Sequence, residues 1–132
     1  MVRGKGITNW PVEDIPGADD VFLRVHKDFV KSPGVPVNAF RDHPKHRGSM
    51  SVNWEKYSTA EQCRQSAKSR PDDNAVLRMN VGKIREVPTQ VVLHAPIPDN
   101  RAHSEVQGEK TPQVRMLLAR LATWEIELAP DR

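Results

Sequence analysis

Residues 21–26 read Val21-Phe22-Leu23-Arg24-Val25-His26, and this stretch decides the fold class. Its β-branched and aromatic residues suit an extended strand. Side chains alternate along a strand, so Phe22, Arg24 and His26 share one face while Leu23 and Val25 take the other. The strand therefore has an apolar side for a core and a side that carries two long polar groups.

The same alternation recurs on both sides of that stretch. In Ser49-Met50-Ser51-Val52-Asn53-Trp54, the residues Met50, Val52 and Trp54 form the core side, and both serines and Asn53 take the opposite side. Residues 75–81 and 90–95 read as further strands, and residues 103–108 as a strand or loop. Residues 35–40 read as a weaker strand, which Pro36 confines to an edge or a strand start. Ser58-Thr59-Ala60-Glu61 reads as a capping box and predicts a helix to about Arg70, stopped by Pro71. Lys83-Ile84-Arg85-Glu86-Val87 reads as a short helical turn.

Near the C-terminus, Thr111 is an N-cap and Pro112 takes the first helical position, where its missing N–H costs nothing. Val114, Leu117, Leu118 and Leu121 follow at helical spacing. This helix is expected to pack on the sheet, with Trp124-Glu125-Ile126-Glu127-Leu128 as its end. Strands and helices mix without regular βαβ alternation. The expectation is a single α+β domain over 21–132, with a mainly antiparallel sheet and the capped C-terminal helix packed on it. Residues 1–20 are expected to form an extended N-terminal arm anchored by Trp10 and Ile15.

Bulk composition narrows the class. The 132 residues suit one domain. A hydrophobic content of 37%, a charged content of 28% and eleven prolines predict a compact core with sizeable irregular loops. Cys63 is the single cysteine, so no intrachain disulfide forms, which fits a reducing, cytoplasmic setting. It lies in a helical run and reads as a buried thiol, because nothing near it in sequence supplies a base. No stretch approaches the roughly 18 apolar residues of a membrane helix, and residues 1–17 lack an apolar signal core.

The net charge of +3 is compatible with an anionic partner without requiring one. A nucleic-acid-binding module of this size carries a denser basic stripe, and no aromatic residue interleaves with a basic run here. Nucleic acid is therefore the weakest partner class.

Six residues stand out as site candidates. Arg24 offers a fork for phosphate or carboxylate, and His26 moves a proton near neutral pH. Asp99-Asn100-Arg101-Ala102-His103-Ser104-Glu105 is dense in polar groups. If it is extended, His103 and Glu105 share a face as an acid–base pair, or Glu105 orients the imidazole. Asn100 would position the loop, and Ser51 would hydrogen-bond a polar ligand. His43 and His46 have the spacing of a metal pair, but Arg41, Lys45 and Arg47 beside them disfavour a dication, so no metal is expected. Walker, Rossmann, nucleophile-elbow and paired-Cys motifs are absent.

Taken in order, Arg24-Val25-His26, Ala39-Phe40 with Asp42, Met50-Ser51-Val52, and Pro98-Asp99-Asn100 with Ala102-His103 and Glu105 span residues 21–108. This order resembles small bacterial proteins of unknown function, with Asn53 standing where those proteins often have an acidic residue. The resemblance implies candidate residues and no chemistry. A second likeness is to ADP-ribosyltransferase-type folds, which place Arg or His on an early strand, Ser-x-Ser on a middle strand and Glu late in the chain. Arg24 or His26, Ser49-Met50-Ser51, and Glu105 or Glu109 keep that order.

The leading expectation is a polar pocket for an anionic or nucleotide-like ligand. Arg24 would hold the anion, His26 and His103 would handle protons, and the residues name no cofactor. The alternatives are a non-enzymatic interaction module docking through the arm's Trp10 and the C-terminal Trp124, an ADP-ribosyltransferase-like enzyme, and a weak nucleic-acid binder through the 41–47 loop.

Overall fold

A computed structural model describes residues 10–31, 34–42, 49–67 and 70–128. Among these described residues, six strands form one antiparallel sheet: β1 Asp20–His26, β2 Ser49–Trp54, β3 Asn74–Asn80, β4 Val91–His94, β5 His103–Gln107 and β6 Thr123–Ile126. Their order across the sheet is β4-β5-β2-β1-β3-β6. The same described residues form three short α-helices, α1 Ala60–Gln65, α2 Val81–Glu86 and α3 Pro112–Leu121, in an α+β domain.

Strand alternation builds the core. Val21, Leu23 and Val25 of β1, Met50, Val52 and Trp54 of β2, and Leu77 and Met79 of β3 are buried in one cluster. Ile84 of α2 and Val114 and Leu118 of α3 join the same cluster, so both helices cover this face. Thr111 caps α3 by accepting from the Val114 N–H at 3.2 Å, with Pro112 in the first turn.

The ladders on the two sides of β1 differ. β1 pairs with β3 along its whole length, from Asp20 opposite Asn80 to His26 opposite Asn74. With β2 it pairs only near its start, at Val21–Trp54 and Phe22–Asn53, where Glu55 N also donates to Asp20 O at 3.1 Å.

Several local expectations are corrected. Residues 35–40 form no strand. Pro36 instead precedes a 3-10 turn at Val37–Ala39, which Phe40, fully buried, pins to the core. The capping box lies one residue later than its sequence reading. Thr59 Oγ1 accepts from Gln62 N at 3.0 Å, and Gln62 Oε1 accepts from Thr59 N at 2.8 Å.

α1 is also shorter than expected. Ser66 caps its C-terminus, with its hydroxyl donating to the Cys63 carbonyl at 2.6 Å, and Pro71 opens a 3-10 turn at Pro71–Asp73. The Trp124 segment is not the end of α3. Ala122 turns extended, and residues 123–126 pair with the outer edge of β3 as β6. Open backbone groups on that edge outweigh the continuing helical pattern.

Within the N-terminal segment, Ile15 is buried and its carbonyl accepts from Arg85 Nη1 at 2.7 Å. Gly82 N donates to Gly17 O at 2.9 Å, a close approach that a side chain at Gly82 would obstruct. Residues 1–9 and the 43–48 segment, which holds His43 and His46, lie outside the described residues. No described helix is long and apolar enough to cross a membrane.

Candidate functional site

Phe22 and Arg24 of β1, Ser51 and Asn53 of β2, and His103 and Glu105 of β5 lie on the face opposite the core. α1 covers one end of this face, burying Cys63 against Phe22 and Val76. At the other end, a tight turn between β4 and β5 is closed by reciprocal bonds between Ile97 and Asn100, at 3.1 and 3.0 Å. Between α1 and this turn runs a cleft of about 610 Å³, a size suited to a small molecule.

Four of the six sequence candidates line this cleft: Arg24, Ser51, Asn100 and His103. His26 does not. It ends β1, where its Nδ1 accepts from Asp28 N at 3.1 Å and caps a 3-10 turn, with the Asp28 carboxylate 3.5 Å away. Glu105 sits opposite Ser51 in the β2–β5 register and accepts from Gln107 Nε2 at 2.8 Å. It shares a face with His103, but the imidazole bonds Ala95 and Ser51 instead. Ser49 is buried and its hydroxyl has no partner among the described residues.

The His103 ring is fixed by its partners. Its Nδ1 lies 2.8 Å from the Ala95 carbonyl, which only accepts, so Nδ1 carries the proton of the neutral ring. Nε2 is then a bare acceptor, and Ser51 Oγ, 3.2 Å away, donates to it. The contact is diagonal: Ser51 pairs with Glu105 and Asn53 with His103, so the imidazole reaches two residues along β2.

Asn100 is held from both ends. Its Oδ1 accepts from Ala102 N at 3.1 Å, and its Nδ2 donates to Asn53 Oδ1 at 2.9 Å. Asn53 Nδ2 donates in turn to Ser58 Oγ at 3.2 Å. This chain ties the turn to β2 and to the segment leading into α1.

On the opposite wall, Arg24 Nη1 donates to Ser66 Oγ at 2.7 Å and to the Cys63 carbonyl at 3.4 Å. The guanidinium is exposed, and its Nε and Nη2 are engaged by no partner among the described residues. The Cys63 thiol beneath it is pushed up to about 11 by burial, with the Arg24 charge opposing the shift. It stays protonated at neutral pH and is no nucleophile.

The turn wall is braced through Arg101 and its neighbours. Arg101 stacks 4.0 Å from the Tyr57 ring centroid and 4.8 Å from that of Trp10. The buried His94 donates through Nε2 to the Arg101 carbonyl at 2.7 Å and accepts at Nδ1 from Glu13 N at 3.0 Å. Glu13 also takes Lys56 Nζ at 2.8 Å and the Tyr57 hydroxyl, and these bonds hold its carboxyl below the usual range.

The sequence reading missed Asn53, Tyr57, Ser58, Ser66 and Arg101 as cleft residues. Asn53 carried a signal, since it alternates with Ser51, and so did Arg101, which lies in the polar run ending at Glu105. The others reach the cleft through chain reversals. Among the described residues no group of three or more His, Cys, Asp or Glu side chains is placed to hold a metal. No protein-family model, curated protein or solved structure matches this chain.

Proposed function

We propose that the cleft binds a small anionic ligand, with Arg24 as the anion contact and Ser51, Asn100 and His103 as neutral hydrogen-bonding groups on the facing wall. One observation carries this reading: residues 24, 51, 100 and 103, from three segments distant in sequence, line one cleft. An exposed guanidinium anchored through one nitrogen keeps its remaining donors for a phosphate or carboxylate. The opposite wall adds hydroxyl, amide and imidazole groups, and the 97–101 turn brings the Arg101 guanidinium as well as the Asp99 carboxylate to the lining. A cytoplasmic setting suits the single buried thiol.

Calorimetric titration with inorganic phosphate, succinate, AMP and NAD tests the reading. At least one of them binds the wild-type chain, and Arg24→Ala weakens it by roughly 10- to 100-fold, the worth of a charge-assisted hydrogen bond. Because Arg24 is exposed, the melting temperature of the variant stays close to the parent's. The reading is lost if none of the four binds the wild-type chain. NAD binding that depends on both Arg24 and Glu105 would favour the ADP-ribosyltransferase-like alternative, whose residues lie on one face of β1, β2 and β5.

A further inference from the structure

We infer that Ser51 and His103 are a nucleophile–base pair, and that the cleft hydrolyses small carboxylic esters bearing an anionic group. The anionic preference rests on the ligand reading above, while the covalent step rests on the geometry of the pair.

A serine hydroxyl becomes a nucleophile when a base accepts its proton and a third group orients that base. All three parts are present. Ser51 Oγ is 3.2 Å from His103 Nε2, and His103 Nδ1 is 2.8 Å from the Ala95 carbonyl, which fixes the tautomer that leaves Nε2 basic. Ser51 is exposed at the cleft floor, so a substrate carbonyl can reach it. The orienting group is a backbone carbonyl and not a carboxylate, so it stabilises the developing imidazolium by a dipole alone. Turnover is therefore slower than with a full triad. Each of the Asn53 and Asn100 amides spends one hydrogen within the protein, on Ser58 and Asn53 respectively. The second hydrogen of each is the donor available to an oxyanion.

The chemistry balances with water as the co-reactant. Ser51 Oγ forms a bond to the ester carbon as its proton passes to His103 Nε2. The carbonyl π electrons move onto oxygen and return to expel the alkoxide, which takes the proton from Nε2. Water then adds to the acyl carbon, giving its proton to Nε2, and the collapse expels Ser51 Oγ, which recovers that proton. The products are a carboxylic acid and an alcohol, with no change of oxidation state.

The test uses the full chain with a neutral fluorophosphonate and two esters, para-nitrophenyl acetate and para-nitrophenyl hydrogen succinate. Intact mass should show a single adduct, peptide mapping should place it on Ser51, and Ser51→Ala should lack it. His103→Gln should slow labelling by at least ~100-fold, the usual worth of a positioned base. The succinate ester should be preferred over the acetate, and Arg24→Ala should remove that preference.

An unlabelled wild-type chain, or an adduct mapped elsewhere, overturns the proposal, and mapping in the wild type needs no variant to fold. Labelling of His103→Gln at the parent rate overturns the role of the base. If Ser51 is labelled but Arg24→Ala keeps the preference for succinate, the pair stands and the anionic-ligand reading fails.

Discussion

The two faces of the sheet are built from the same strands by different physics. On the packed face, Val21, Leu23, Met50, Val52, Trp54, Leu77 and Met79 meet α2 and α3, and binding is non-directional. On the open face, Ser51 bonds His103, Asn53 bonds Asn100 of the 97–101 turn, and Arg24 bonds Ser66 at the end of α1, each through a bond of fixed direction. A single strand such as β2 therefore contributes Val52 to stability and Ser51 to the cleft, one residue apart. The contrast shows that stability and site can be altered separately here, residue by residue.

The largest test of that contrast falls on the packed face. Leu77 is fully buried at the centre of β3. Leu77→Ala should cost about 2–5 kcal/mol, read as a fall in the urea midpoint with an unchanged slope. A loss below ~1 kcal/mol would show that the core collapses around the gap and is not closely packed.

A smaller loss is expected where the open face turns inward. Asn53 is buried and joins Asn100 to Ser58. Asn53→Ala leaves two polar groups short of a partner and should cost about 1–3 kcal/mol. It should also loosen the 97–101 turn, seen as faster amide exchange at Asn100 and His103. An unchanged exchange pattern would mean the turn is held by Arg101 and His94 alone.

The smallest effect concerns pH. The Glu13 carboxyl sits below its ordinary 4.5, through hydrogen bonds from Lys56 and then Tyr57. A depressed carboxyl contributes its full stabilisation above the unfolded value and loses it as pH falls through the folded one. Stability should therefore drop in mild acid, below about pH 4.5, and Glu13→Gln should flatten that part of the profile. Because Lys56 is exposed and Glu13 only half-buried, solvent screens the pair and the change is modest. A profile unaltered by Glu13→Gln would assign the acid limb to other carboxylates.

Much of the fold is legible in the sequence because strand alternation is local. Residues 21–26 and 49–54 reveal their core sides without any knowledge of neighbours. β6 was not legible: residues 123–126 continue a helical pattern, and only the free edge of β3 makes them a strand. The capping box was off by one because Ser58 and Thr59 are both able caps, and the bond from Asn53 draws Ser58 away.

For the site, the face shared by Arg24 and His26 could be read, but their separation could not. His26 closes a turn with Asp28, which only backbone geometry reveals. The Ser51–His103 contact depends on the register between β2 and β5, which no local pattern encodes. The stack of Trp10, Arg101 and Tyr57 likewise joins three segments distant in sequence.

The brief pairing of β1 with β2 divides the sheet. β4, β5 and β2 form one leaf, β1, β3 and β6 another, joined at Val21–Trp54, Phe22–Asn53 and the Glu55–Asp20 backbone bond and by a core that both leaves share. α1 rests on β1, β3 and β6, whereas the 97–101 turn springs from β4 and β5. Arg24 thus stands on one leaf, with Ser51, Asn100 and His103 on the other, and the cleft lies across their join. A molecule that touches both walls works like a clasp on a book, resisting relative twist of the two leaves from the side opposite their shared core.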